Sequence, residues 1–138
     1  MDYSQAFAIS ASGMTLERTR VEVASLNLAN ANTVAGPDSK TFQPLRVVAR
    51  PSFGDTVAQG LAALPAPVVE PVLQGPRMVY EPGHPLADAR GFVAYAGVDT
   101  ATEMVTMMGA MRAYEANVAA MNTSRNMALK ALEIGGNA

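Results

Sequence analysis

The stretch from Thr100 to Ile134 constrains the fold more than any other. Apolar residues recur there at alternating three- and four-residue steps: Met104, Met107, Met111, Tyr114, Val118, Met121, then Ala128 and Leu132, with Arg125 alone interrupting the series. This spacing is a heptad seam of about four repeats, the pattern of a helix that lies along a partner helix. Such a seam is not stable alone in water, so something must cover it. Only residues 2 to 30 have comparable helical character. The chain is therefore expected to be mainly α. Its N- and C-terminal helices should pack as an antiparallel coiled-coil-like hairpin, with everything between them forming an insert.

The first helix has a capping-box pair, Asp2 with Gln5, at its start. Its apolar residues fall on two tracks, Phe7, Met14, Val21 and Leu28, and Ile9, Leu16, Val23 and Leu26. The tracks lie about 200° apart around a helix of 3.6 residues per turn. A helix apolar on two sides expects partners on two sides. The C-terminal helix can supply one, and the other must come from elsewhere. The run Asn27-Leu28-Ala29-Asn30-Ala31-Asn32-Thr33 is a stop signal, because asparagine tolerates left-handed geometry and bonds nearby backbone. At the second helix, Thr100 with Glu103 forms another capping-box pair, and Gly135-Gly136 is a natural end.

Between the helices the composition changes abruptly. All nine prolines lie between Pro37 and Pro85. Three segments follow: a helix over 1–33, a Pro-rich extended and β insert over 34–98, and a helix over 99–138. Phe42 to Arg50, Val68 to Tyr80 and Phe92 to Val98 have strand-like spacing, with Pro44, Pro71 and Pro76 restricting them to short or edge strands. Residues 54–67, rich in Gly, Pro and Ala, are expected to be mobile or only locally ordered. Turns are expected at Glu81-Pro82-Gly83-His84-Pro85 and at Asp88-Ala89-Arg90-Gly91.

Composition removes several function classes. Cysteine is absent and the net charge is −2, so thiolate chemistry and a nucleic-acid footprint have no basis. Charged residues make up 16% of the chain, against roughly 25% in ordinary domains, so much of the surface is expected not to face water in the working state. The longest uncharged runs are too short to span a bilayer, and no cleavable signal is visible. His84 is the only histidine and sits in a turn. Capping accounts for Asp99 or Glu103, and turn chemistry for Asp88. No catalytic, cofactor-binding or metal-binding set is expected, nor a small-molecule substrate.

The informative residues lie on the helices. Six of the nine methionines fall between Met104 and Met127, where flexible side chains suit both a core stripe and an interface that repacks against several neighbours. Asn27, Asn30, Asn117 and Asn122 lie in or at the ends of apolar helices, where a buried amide can fix register. The candidate interface residues are Phe7, Met14, Leu16, Val21, Val23, Leu28 and Asn30 on the first helix. On the second they are Met104, Met107, Met111, Tyr114, Asn117, Val118, Met121 and Leu132.

Ser25 to Thr33, with its Asn-Leu-Ala-Asn core and following Thr, resembles the N-terminal signature of flagellar rod, hook and hook-associated axial proteins. The segment Tyr80 to Val93 resembles one characteristic of proximal rod members of that family. So do Glu103-Met104-Val105, Arg112 to Val118, and Asn122-Thr123. The chain departs from that pattern at Phe92, usually Tyr, and at Ala96-Gly97, usually Pro-Asn. The resemblance implies a structural subunit of the bacterial flagellar basal-body rod, polymerising through its terminal helices. It implies export through the flagellar type III apparatus without a cleaved signal, and assembly in the periplasm with copies of itself and other rod proteins. The alternative of a different class is a soluble coiled-coil adaptor or export chaperone acting in the cytoplasm.

Overall fold

A computed structural model describes residues 3–36, 39–50 and 66–136. Helix α1 spans Tyr3–Asn30 and helix α2 spans Thr100–Gly136. Between them lie β1 (Val34–Ala35), β2 (Leu45–Arg50), β3 (Ala66–Pro71), β4 (Arg77–Tyr80) and β5 (Phe92–Tyr95). The expected architecture, two long helices around a β-containing insert, is the one observed.

The helix ends show where local chemistry differs from the expectation. The Asp2 capping pair lies outside the described residues. At α2 the cap is Asp99, not Thr100. The Ala101 amide donates to Asp99 Oδ1 at 3.1 Å and the Thr102 hydroxyl to Oδ2 at 2.6 Å. These bonds, the Thr102 hydroxyl first, hold the Asp99 carboxyl below its usual range. Glu103 is thereby released from capping and turns toward α1. Helix α1 does stop at the asparagines, but without left-handed backbone, since no described non-glycine residue has positive φ. Instead the Asn30 amide donates back to the Leu26 carbonyl at 2.9 Å, and the Thr33 hydroxyl and amide bond to Asn30. Helix α2 continues through Gly136, two residues past the expected Ile134.

The insert forms two small antiparallel sheets. One has the order β1-β5-β4, with Val34 opposite Tyr95 and Tyr80 opposite Phe92. The other pairs β2 with β3, with Leu45 opposite Pro71 and Arg50 opposite Ala66. Pro67 and Pro71 both sit on β3, a strand with only one partner, where a missing donor costs no ladder bond. Ala66 and Pro67 are thus ordered strand, correcting the expectation for residues 54–67 at that end. The remainder of that stretch lies outside the described residues.

Two glycines are dictated by the backbone. Gly91 has φ of 83°, and a Cβ there would lie 3.0 Å from the Tyr80 ring and 3.1 Å from Pro82. It closes the turn in which Asp88 Oδ1 accepts from the amides of Arg90 (2.8 Å) and Phe92 (2.9 Å). The Phe92 bond is the main reason that carboxyl is lowered. Gly97 lets the chain leaving β5 pass the segment before β4, because a Cβ would lie 2.5 Å from the Gly75 carbonyl oxygen.

The core is small. Ala31, Ala96 and Val98 cluster with Phe42 packed against them, and Val93 is fully buried in the central strand. Among the described residues no buried apolar side chain is larger than valine. Every leucine, isoleucine, methionine and aromatic ring described keeps part of its surface open.

Candidate assembly interface

The order of contacts makes the helix pair antiparallel. Asn27 meets Glu103, Ser25 donates its hydroxyl to Met107 Sδ at 3.6 Å, and Gly13 meets Asn117. Successive contacts thus run toward the N-terminus on α1 as they run toward the C-terminus on α2.

The line of contact follows only half of the predicted apolar seam. On α1 the covered residues step by three and four through Ser10, Gly13, Glu17, Arg20, Ala24 and Asn27 to Ala31. On α2 they run Glu103, Met107, Ala110, Asn117, Met121, Ser124 and Ala128, with the more open Tyr114 between Ala110 and Asn117. Half of the predicted α2 seam, Met107, Tyr114, Met121 and Ala128, lies on this line. The other half lies off it, Leu132 because α2 extends past α1 there. Met104 is 52% exposed, Met111 50% and Leu132 72%. Val118 stays half-buried at the edge.

The physical reason is size. Interaxial distance is set by the side chains at the contact, and small residues let helices close together. Ala24 and Ala110 are almost fully covered. A Cβ on Gly13 would lie 2.6 Å from Asn117 Oδ1, so the carboxamide occupies the space that a side chain would need. That carboxamide is itself fixed by donating to the Ala113 carbonyl at 2.9 Å. Glu17 is buried in the seam and paired with Arg20 at 2.9 Å.

Because the seam is small and polar, the apolar residues become ridges beside it. On α1, Phe7, Met14, Val21 and Leu28 are half-buried along one flank. On the other, Ile9 and Leu26 are exposed, Leu16 is half-buried, and Val23 is buried where β2 crosses. Asn30 is half-buried at the α1 terminus and serves as its cap. An open groove of about 450 Å³ runs between Arg18 and Val21 of α1 and Met111, Tyr114 and Glu115 of α2. Helix α2 also outruns its partner. Residues 129–136 are all exposed, and Leu132 and Ile134 (77%) are largely uncovered among the described residues.

Three features escaped sequence reasoning. Ser10, Glu17, Ala24 and Ala31 recur every seven residues, a signal present in the sequence but masked by the larger apolar tracks. Glu103 faces α1 instead of capping. Asn27 is fully buried, and its amide bonds the backbone of Leu45 on β2 as well as facing Glu103, so it ties helix to strand. His84 Nδ1 accepts from the Leu86 amide at 3.1 Å, a turn contact. Among the described residues no group of three His, Asp or Glu side chains could hold a metal ion, and no helix is long and apolar enough to cross a membrane.

The sequence comparisons give the class of a chain built as this helix pair. Residues 7–37 match the family model "Flagella basal body rod protein", and residues 89–134 match "Flagellar basal body rod FlgEFG protein C-terminal". Each matched region holds most of one helix of the pair, and the class is that of flagellar basal-body rod proteins. The flagellar basal-body rod protein FlgC of Escherichia coli O157:H7 is 43% identical over 94% of this chain and 95% of its own. FlgC of Salmonella typhimurium LT2 is 42% identical over the same shares, and FlgC of Bacillus subtilis 168 is 35% identical over 92% and 94%. The chain belongs to the FlgC family and is a structural subunit of the flagellar basal-body rod.

Proposed function

We propose that this subunit enters the rod by covering its apolar ridges with the helices of neighbouring subunits. The observation that carries the reading is the rotation of the intramolecular contact off the apolar stripe, which leaves Met104 and Met111 open, together with the overrun of α2, which leaves Leu132 open. Subunits related by a helical operation use heterologous contacts, so ridges on different sides of one hairpin meet different faces of its neighbours. The helices would interdigitate in coiled-coil fashion, and close packing of many hairpins gives a tube stiff enough to carry torque. The neighbours are copies of this chain and other rod proteins. The role is mechanical and involves no catalysis. The route is export through the flagellar type III apparatus without a cleaved signal, and assembly in the periplasm, as the family resemblance implies.

Fractionation tests the placement. Purified hook–basal bodies are expected to contain the chain as an integral rod component that survives acid removal of the filament. A chain found only in the cytoplasm, bound reversibly to export substrates, would contradict it.

A further inference from the structure

The chain has nine methionines and no cysteine, so its oxidisable sulfur is all thioether. The helix pair sorts the sulfurs of α2 into two sets. Met107 and Met121 lie half-buried on the line of contact with α1, and Met107 Sδ accepts the Ser25 hydroxyl at 3.6 Å. Met104, Met108 and Met111 follow one another at steps of four and three residues, so they share one flank of the helix, within about 60° of one another. They are 52%, 52% and 50% exposed. About two turns of helix thus present three neighbouring sulfurs to solvent. Their flank borders the open groove beside Val21.

We propose that Met104, Met108 and Met111 form an oxidation site that regulates entry of the subunit into the rod. As thioethers they suit an apolar contact, and as sulfoxides they block it. The inference rests on the reading that the apolar ridges are the assembly surface.

The reaction is a two-electron oxygen transfer from a peroxide. The thioether lone pair attacks one peroxide oxygen, and the O–O bond breaks as the S–O bond forms. Hydroxide leaves and takes the proton of the transferred oxygen, so the sulfur is oxidised and the peroxide is reduced to water. A polar, chiral side chain then stands where a flexible apolar one stood. In the free subunit its oxygen is hydrated, and the fold is unaffected. Under an apolar neighbour the oxygen loses that water, and each such side chain is expected to weaken the contact about tenfold. Met107 and Met121 react more slowly, because α1 limits approach to their sulfurs and the Ser25 bond engages Met107. The modification is thereby directed to the face whose alteration spoils association and spares folding. Reduction by a methionine sulfoxide reductase restores the thioether.

The test has two arms. In the first, the folded full chain is treated with hydrogen peroxide, and sulfoxide is followed at each methionine by peptide mass spectrometry. Met104, Met108 and Met111 are expected to react several-fold faster than Met107 and Met121. Equal rates in the two sets overturn the proposal. In the second, Met104→Gln, Met108→Gln and Met111→Gln are combined, to supply polarity without charge, and the same three positions are changed to Leu in a parallel chain. The Gln chain is expected to melt normally and to build no rod, and the Leu chain to support swimming. A Gln chain that swims, or a Leu chain that does not, overturns the proposal. Met111→Asp separates this outcome from the reading beneath it. If the Asp chain is immotile while the Gln chain swims, the ridge assembles but tolerates oxidation, and the proposal alone falls. If both swim, the ridge reading falls with it. If the Gln chain does not fold, the peroxide arm still decides.

Discussion

Met111→Asp is expected to abolish swimming while leaving a folded, exported subunit. In the free chain Met111 is half open beside Arg18, Val21 and Tyr114, so an aspartate there reaches water and costs within about 1 kcal/mol. In the assembled rod the same position would be covered. The variant then loses about 1.5–3 kcal/mol of apolar burial and adds the larger cost of an unpaired buried charge. Each subunit repeats the loss at its contacts. Thermal unfolding of the purified chain and motility of the complemented mutant separate the two effects. Normal melting with absent swimming is the expected pair. Normal swimming places Met111 outside the interface. Val118→Asp should also stop assembly, but it is half-buried within the hairpin and is expected to perturb the monomer more.

Gly97→Ala is expected to destabilise the chain itself. The added methyl would lie 2.5 Å from the Gly75 carbonyl oxygen, a backbone atom that no rotamer change can move. Gly97 lies between Ala96 and Val98, two of the three residues of the buried cluster, so relief by backbone shift disturbs the core. Overpacking of this kind costs about 1–3 kcal/mol, here toward the upper end, or a fall of about 5–10 °C in melting temperature. Gly109→Ala is the contrast. A Cβ there meets nothing within 4 Å, and replacing a helical glycine should stabilise by up to about 1 kcal/mol. Equal and small effects at the two positions would contradict the close approach at Gly97.

These two variants also mark what could be read from sequence. The existence, length and partnership of the helices were legible, because heptad spacing and the confinement of proline to the middle are strong local signals. The strands were legible as short and proline-limited. Strand β1 was not, since two residues, Val34 and Ala35, carry no periodicity and owe their state to pairing with β5. The face of contact was misplaced by half. Periodicity finds the apolar stripe, yet the helix pair closes on alanine, glycine, serine and a buried Glu17, whose steric advantage is invisible to hydrophobicity. Asn27 reads as a candidate register residue in the sequence, but its partner, Leu45, lies 18 residues away on a strand whose position the local pattern does not give.

A density map of the purified rod, traced at side-chain resolution, tests the account most directly. It should show Met104, Met111 and Leu132 covered by helices of neighbouring subunits, with the Ser10–Ala24 and Ala110–Asn117 seam still closed within each chain. A rod in which those three side chains face water or lumen, while the contacts between subunits are made by the insert alone, would contradict it.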